Sequence, residues 1–205
     1  MNLFYEACRP VMAGLLRTLA DFRLEGGELV PRHGPLIVAS NHLHFCDPPL
    51  LGGVLPRYVR FMAKREAFKV PWGLLFTTAY GSFPVNRGQL DRAALRKAER
   101  ILAGGGCVGM FPEGHRSHGK GLLPGFDGVA LIARRSGAPI LPVGIAGTEV
   151  VFKTKPRWPV VMRVGEPFQA RGGCPLSEAT RDLMEHIARL LPARYHGAYA
   201  REGAA

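Results

Sequence analysis

Acidic residues are scarce in this chain: 16 Asp and Glu stand against 27 Lys and Arg in 205 residues, a formal net charge of +11. The deficit favours encounters with anions, whether nucleic acid, acidic lipid headgroups or phosphorylated metabolites. Cysteine is scarce as well. Cys8, Cys46, Cys107 and Cys174 lie far apart with no C-x-x-C pair, so neither a zinc ribbon nor a disulfide framework is indicated, and a reducing, cytoplasmic compartment is expected. No stretch approaches the roughly 18 apolar residues that a spanning helix needs. The first residues also lack a basic segment leading into an apolar run and a small-residue cleavage site, so neither secretion nor membrane spanning is expected. There is no finger spacing, no helix-turn-helix signature and no strip of interleaved aromatic and basic residues, which removes the support that charge alone gives to a nucleic-acid partner.

What the chain does have is apolar content, 47% of its residues, enough for one sizeable core and one domain. Leu3, Phe4, Ala7, Cys8, Val11, Met12, Leu15, Leu16 and Leu19 fall at helical spacing. They predict an amphipathic helix within residues 1–24 that either docks on the protein's own core or lies in a bilayer interface. Residues 25–205 then alternate between strand-like and helix-like patterns. Strands are predicted at "PLIVASNH", "YVRFMAK", "CVGMF", "PILPVGIAG" and "PVVMRVG". Helices are predicted from Gln89 to Ala103, in "FDGVALIARRSG" up to Gly137, and from Ser177 to Leu191. That alternation implies an α/β domain with a mostly parallel or mixed sheet flanked by helices. The segment around Trp72, Leu74, Leu75 and Phe76 is apolar enough to serve as core or as a lipid contact.

One stretch concentrates chemistry. "SNHLHFCDPP" places two histidines, a cysteine and an aspartate in residues 40–49. His42, His44 and Asp47 are a fragment of a metal signature, but the other histidines form no second ligand pair, and no metal or cofactor is expected. Nothing suggests a depressed thiol pKa at Cys46. A His–Asp relay fits better. Residues five apart oppose each other on a strand and lie about 140° apart on a helix, so His42 and Asp47 meet only if the backbone turns between them. Asp47 followed by Pro48 supplies a helix start there. One carboxylate oxygen would cap that helix while the other holds an imidazole N–H, leaving the opposite nitrogen as a general base. Elsewhere Arg87, Glu113, Gly114 and Arg116 fall in loops where α/β sheets gather active-site groups, and two arginines could clamp a phosphate while Gly114 lets the backbone come close.

Four blocks in order, "NHLHFCD" (41–47), "FPVNR" (83–87), "FPEGHRS" (111–117) and "PILPVGI" (139–145), resemble the glycerolipid acyltransferases of the bacterial 1-acylglycerol-3-phosphate acyltransferase type. The resemblance implies the glycerol-3-phosphate acyltransferase-like fold, His42 as base with Asp47 as its orienting partner, and Arg87, Glu113, Gly114 and Arg116 as the residues that bind the acceptor's glycerol phosphate. It implies an acyl thioester donor, acyl-CoA or acyl-ACP, and a lysophospholipid acceptor. Peripheral association with the cytoplasmic membrane face is expected as well. The same chemistry on glycerol 3-phosphate or another lysolipid, and a non-catalytic lipid-binding protein, remain as alternative readings. His115 stands where the family usually has Thr.

Overall fold

The computed structural model describes residues 5, 6, 10, 11, 14, 18, 20–86, 91–151 and 157–200, with the backbone alone at 72, 75 and 76. Its centre is a seven-stranded sheet, β1 (Ala20–Glu25), β2 (Leu36–Ser40), β3 (Val59–Lys64), β4 (Phe83–Val85), β5 (Cys107–Met110), β6 (Ile140–Ala146) and β7 (Trp158–Val164), in the spatial order β1-β7-β6-β2-β5-β3-β4. All neighbours pair in parallel except β6 and β7. The α-helices whose bounds fall among the described residues are α1 (Asp47–Val54), α2 (Pro71–Ala79), α3 (Arg92–Ala103), α4 (Gly128–Ser136) and α5 (Leu176–Arg189).

Alternation along the central strands divides the apolar residues between two faces. Ile37 and Ala39 join Ala94, Ala98, Ile132, Leu183 and Ile187 in one core, beneath α3, α4 and α5. Leu36 and Val38 join Leu50, Leu51, Ala79 and Tyr80 in the other, beneath α1 and α2. β2 and β6 are buried along their whole length, which is why both read as continuous apolar runs instead of alternating ones. The connection out of β2 therefore crosses one face and the connection between β5 and β6 crosses the other. β6, β2 and β5 lie side by side with their carboxyl ends together, the place where open α/β sheets gather functional groups.

The expected single α/β domain with a mixed sheet is the observed one. The N-terminal segment differs from expectation at its end, because residues 20–24, placed above in a helical region, belong to the strand Ala20–Glu25 parallel to β7. Its exposed Asp21, Arg23 and Glu25 hide the strand signal, since an edge strand need not bury alternate residues. Of the predicted apolar stripe only Val11 is described, and it is exposed; the remainder lies outside the described residues. Tyr5 is described and buried, its ring edge-on to Tyr58 and Tyr80. The side chains of Trp72, Leu75 and Phe76 also lie outside the described residues, and Leu74 is half exposed. α3 begins at Arg92, later than predicted, because Asp91 caps it by accepting from the Ala93 and Ala94 amides at 3.0 Å.

Candidate active site

The site grows from the end of β2. The Asn41 side chain clamps that end to β6: its Nδ2 donates to the Ile145 carbonyl at 2.8 Å and its Oδ1 accepts the Ile145 amide at 2.7 Å. His42 follows, and the "FPEGHRS" loop beyond β5 grips its backbone from both sides. The His42 amide donates to Glu113 Oε1 at 2.7 Å, and the His42 carbonyl accepts from the Ser117 amide at 2.8 Å. The imidazole stacks on Phe111 with ring centres 4.2 Å apart. Main chain and ring are both fixed before any substrate arrives.

The turn that the His42–Asp47 spacing demanded is present. Asp47 Oδ2 meets His42 Nδ1 at 2.8 Å and also accepts the Leu43 and His44 amides at 2.7 Å. A carboxylate can only accept, so Nδ1 carries the proton, and Nε2 is the ring nitrogen left with a lone pair. The expectation that one oxygen caps the helix does not hold. Asp47 is itself the first residue of α1, and its second oxygen, Oδ1, takes the Thr148 hydroxyl at 2.6 Å. Asp47 is fully buried, and His42 is 7% exposed. Beside them the Cys46 thiol is pushed up to about 11 by burial and by the Asp47 charge, which keeps it a thiol at neutral pH.

Glu113, which the resemblance assigns to the acceptor's glycerol phosphate, lies inside the fold. Its carboxylate is fully buried and spans two loops, Oε1 on the His42 amide and Oε2 on the Leu123 amide at 2.9 Å. Burial pushes its pKa up to about 7; the Leu123 and His42 amides oppose the shift and the nearby Asp47 charge adds to it. Gly114 turns the chain out of this buried position with φ +69°, and a Cβ there would meet the Phe126 ring at 2.9 Å, so glycine is required for conformation and for space. Arg116 is exposed and free of any ion pair to the described residues. Arg87 lies outside the described residues. His115 is exposed and points its Nδ1 at the Glu113 carbonyl, 2.8 Å away. Among the described residues no group of three or more His, Cys, Asp and Glu could hold a metal ion.

Sequence reasoning missed Thr148 and the clamp made by Asn41. Thr148 directly follows β6, and a polar residue just past the carboxyl end of a buried parallel strand was the available signal.

A wound α/β sheet with a buried, carboxylate-oriented imidazole just past the carboxyl end of a central strand is the architecture of an enzyme. Residues 21–146 match the model of the Acyltransferase family, and the chain belongs to that family: it is an acyltransferase, as the four sequence blocks suggested. Over 165 residues, 80% of its length, the chain is 26% identical to the 1-acyl-sn-glycerol-3-phosphate acyltransferase of Bacillus subtilis, covering 82% of that protein. It is 32% identical over 128 residues to the human 1-acyl-sn-glycerol-3-phosphate acyltransferase beta, spanning 60% of this chain and 46% of that one. The crystal structure of the 1-acyl-sn-glycerophosphate acyltransferase PlsC from Thermotoga maritima superposes with a TM-score of 0.72 at 27% identity, covering 91% of this chain and 76% of that chain.

Proposed function

We propose that this chain transfers a fatty acyl group from a thioester, on coenzyme A or acyl carrier protein, to the free hydroxyl of 1-acylglycerol 3-phosphate, giving phosphatidic acid. The observation that carries the reading is the 2.8 Å contact of His42 Nδ1 with a buried Asp47, which turns Nε2 outward as a base. His42 Nε2 removes the hydroxyl proton as the acceptor oxygen attacks the thioester carbonyl. The tetrahedral intermediate collapses with cleavage of the C–S bond, and the imidazolium returns the proton to the departing thiolate. Asp47 fixes the tautomer throughout and offsets the charge on the imidazolium. Proton transfer of this kind contributes about 10² to 10⁴ in rate, and holding alcohol and thioester together supplies several kcal/mol more.

Arg116, exposed beside Gly114, and Arg87 would meet the acceptor's phosphate, a bidentate partner suited to guanidinium. Glu113 is read here as the tie that holds the His42 backbone against the 121–123 segment. Phe45, tilted against His44 at 4.3 Å, and Phe126, beside His115 at 5.8 Å, are both more than half exposed. They supply apolar contact for an acyl chain entering from a membrane surface. No helix among the described residues is long and apolar enough to cross a membrane, so the chain would meet its lipid acceptor at that surface.

Release of free thiol from an acyl-CoA by the purified protein, run against lysophosphatidic acid, glycerol 3-phosphate and a neutral lysolipid, tests the proposal. Lysophosphatidic acid should be acylated fastest, and His42→Ala should lower kcat by about 10² to 10⁴. Asp47→Asn should do the same with little change in KM. Turnover of both variants at the parent rate would remove the mechanism, and preference for another acceptor would remove the substrate assignment.

A further inference from the structure

Asp47 is held from two directions. Oδ2 is engaged by groups of its own loop, the His42 imidazole and two amides. Oδ1 is engaged from across the sheet, by a hydroxyl 101 positions away in sequence. That hydroxyl belongs to Thr148, which is buried and opens the single 3-10 turn Thr148–Val150 after β6.

The turn is itself pinned on both sides of Thr148 by one phenol. The Gly147 amide donates to the Tyr195 hydroxyl at 3.2 Å, and the same hydroxyl donates to Glu149 Oε1 at 2.6 Å. Gly147 has φ +92°, a conformation that other residues rarely adopt, and a Cβ there would run into the Pro159 carbonyl of β7. Tyr195 is buried near the C-terminal end of the fold, and its carbonyl accepts the Leu122 amide at 2.8 Å. Leu122 is the neighbour of the Leu123 that Glu113 holds. Both supports of the dyad, the hydroxyl at Asp47 and the carboxylate at the His42 backbone, therefore trace back to the same C-terminal turn.

We propose that Thr148 is a positioning residue for the reaction: by donating its hydroxyl to Asp47 Oδ1, it fixes the rotation of the carboxylate that orients His42. A carboxylate anchored through Oδ2 alone can pivot about that oxygen. The Thr148 bond removes the pivot and supplies a donor to a buried anion that would otherwise lack one on that side. Thr148 touches neither donor nor acceptor in this role, so its effect falls on turnover and leaves substrate binding unchanged. The inference rests on the His42–Asp47 mechanism proposed above.

The test uses the full chain, an acyl-CoA and lysophosphatidic acid, with kcat and KM measured for Thr148→Val, Thr148→Ser and His42→Ala, and with thermal melts of each. Valine keeps the shape and removes the hydroxyl; serine keeps the hydroxyl and removes the methyl. Thr148→Val should lose about 10- to 100-fold in kcat, the size expected for a hydrogen bond to a charged group, with KM within about twofold. Thr148→Ser should recover most of the parent kcat. If Thr148→Val does not fold, Thr148→Ala, which leaves space in place of bulk, carries the comparison. Parent-like kcat in the folded hydroxyl-free variant, or equal losses in the Val and Ser variants, would overturn the positioning role while His42→Ala still confirms the base. A His42→Ala variant as active as the parent would take down both readings together.

Discussion

Residue 42 is held by its backbone as firmly as by its side chain, and the group responsible is Glu113. Its carboxyl stands at about 7 because burial outweighs the two amides that favour its ionised form. With a folded value raised above the ordinary 4.5, the group contributes stability that is fully present below about pH 4.5 and is lost as pH rises through about 7, on the order of 3 kcal/mol. Glu113→Gln cannot ionise. The melting temperature of the parent relative to that variant should therefore fall between about pH 5 and about pH 8; parallel curves would count against a titrating Glu113. At this scale the sequence was legible where chemistry is local. His42 and Asp47 are five residues apart, and the turn between them could be argued from Pro48 and chain geometry. Thr148 and Asn41 act over 101 and 104 positions, a range that periodicity and spacing do not reach. The burial of Glu113 and its two amide partners were not legible either, because a motif says nothing about which way a side chain faces.

Among the elements, those with strong local signals matched and those defined by their neighbours did not. α5, predicted as Ser177 to Leu191, runs from Leu176 to Arg189, and α4 ends at Gly137 with φ +65°, the left-handed cap that glycine favours. β1 was missed as an exposed edge. β4 has three residues, too few for any pattern, and exists because β3 offers it an edge to pair with. Asp91 ties the residue after β4 to the start of α3: its Oδ2 accepts both the Asn86 amide and the Asn86 side-chain Nδ2 while Oδ1 caps α3. Asp91→Ala should cost about 1 kcal/mol or more in urea unfolding, the usual loss for an N-cap. Because Asp91 holds Asn86 of the "FPVNR" block, the variant should also raise KM for lysophosphatidic acid more than it lowers kcat. An unchanged KM would separate that tie from the acceptor site.

Taken whole, the molecule carries +11 on a fold with both sheet faces covered, so its excess charge lies at the surface, where salt screens it. If the chain works at an anionic membrane, its sedimentation with anionic vesicles should fall steeply as ionic strength rises from about 0.05 to about 0.5 M, and neutral vesicles should retain little of it. Replacing Leu15 and Leu16 together by Glu should weaken the salt-resistant part of that binding if the N-terminal stripe lies in the interface. Binding that ignores salt, lipid charge and the double substitution would leave the membrane reading without support.

The sequence by itself determined the α/β class, the family and the His42–Asp47 pair, because strand and helix periodicity, strand-end polarity and a five-residue turn are short-range properties of a chain. Only the tertiary structure decided which groups surround that pair. Parallel pairing places β6 and β5 on either side of β2, so Thr148 reaches Asp47 and Glu113 reaches His42 from opposite flanks, and no local rule specifies that adjacency.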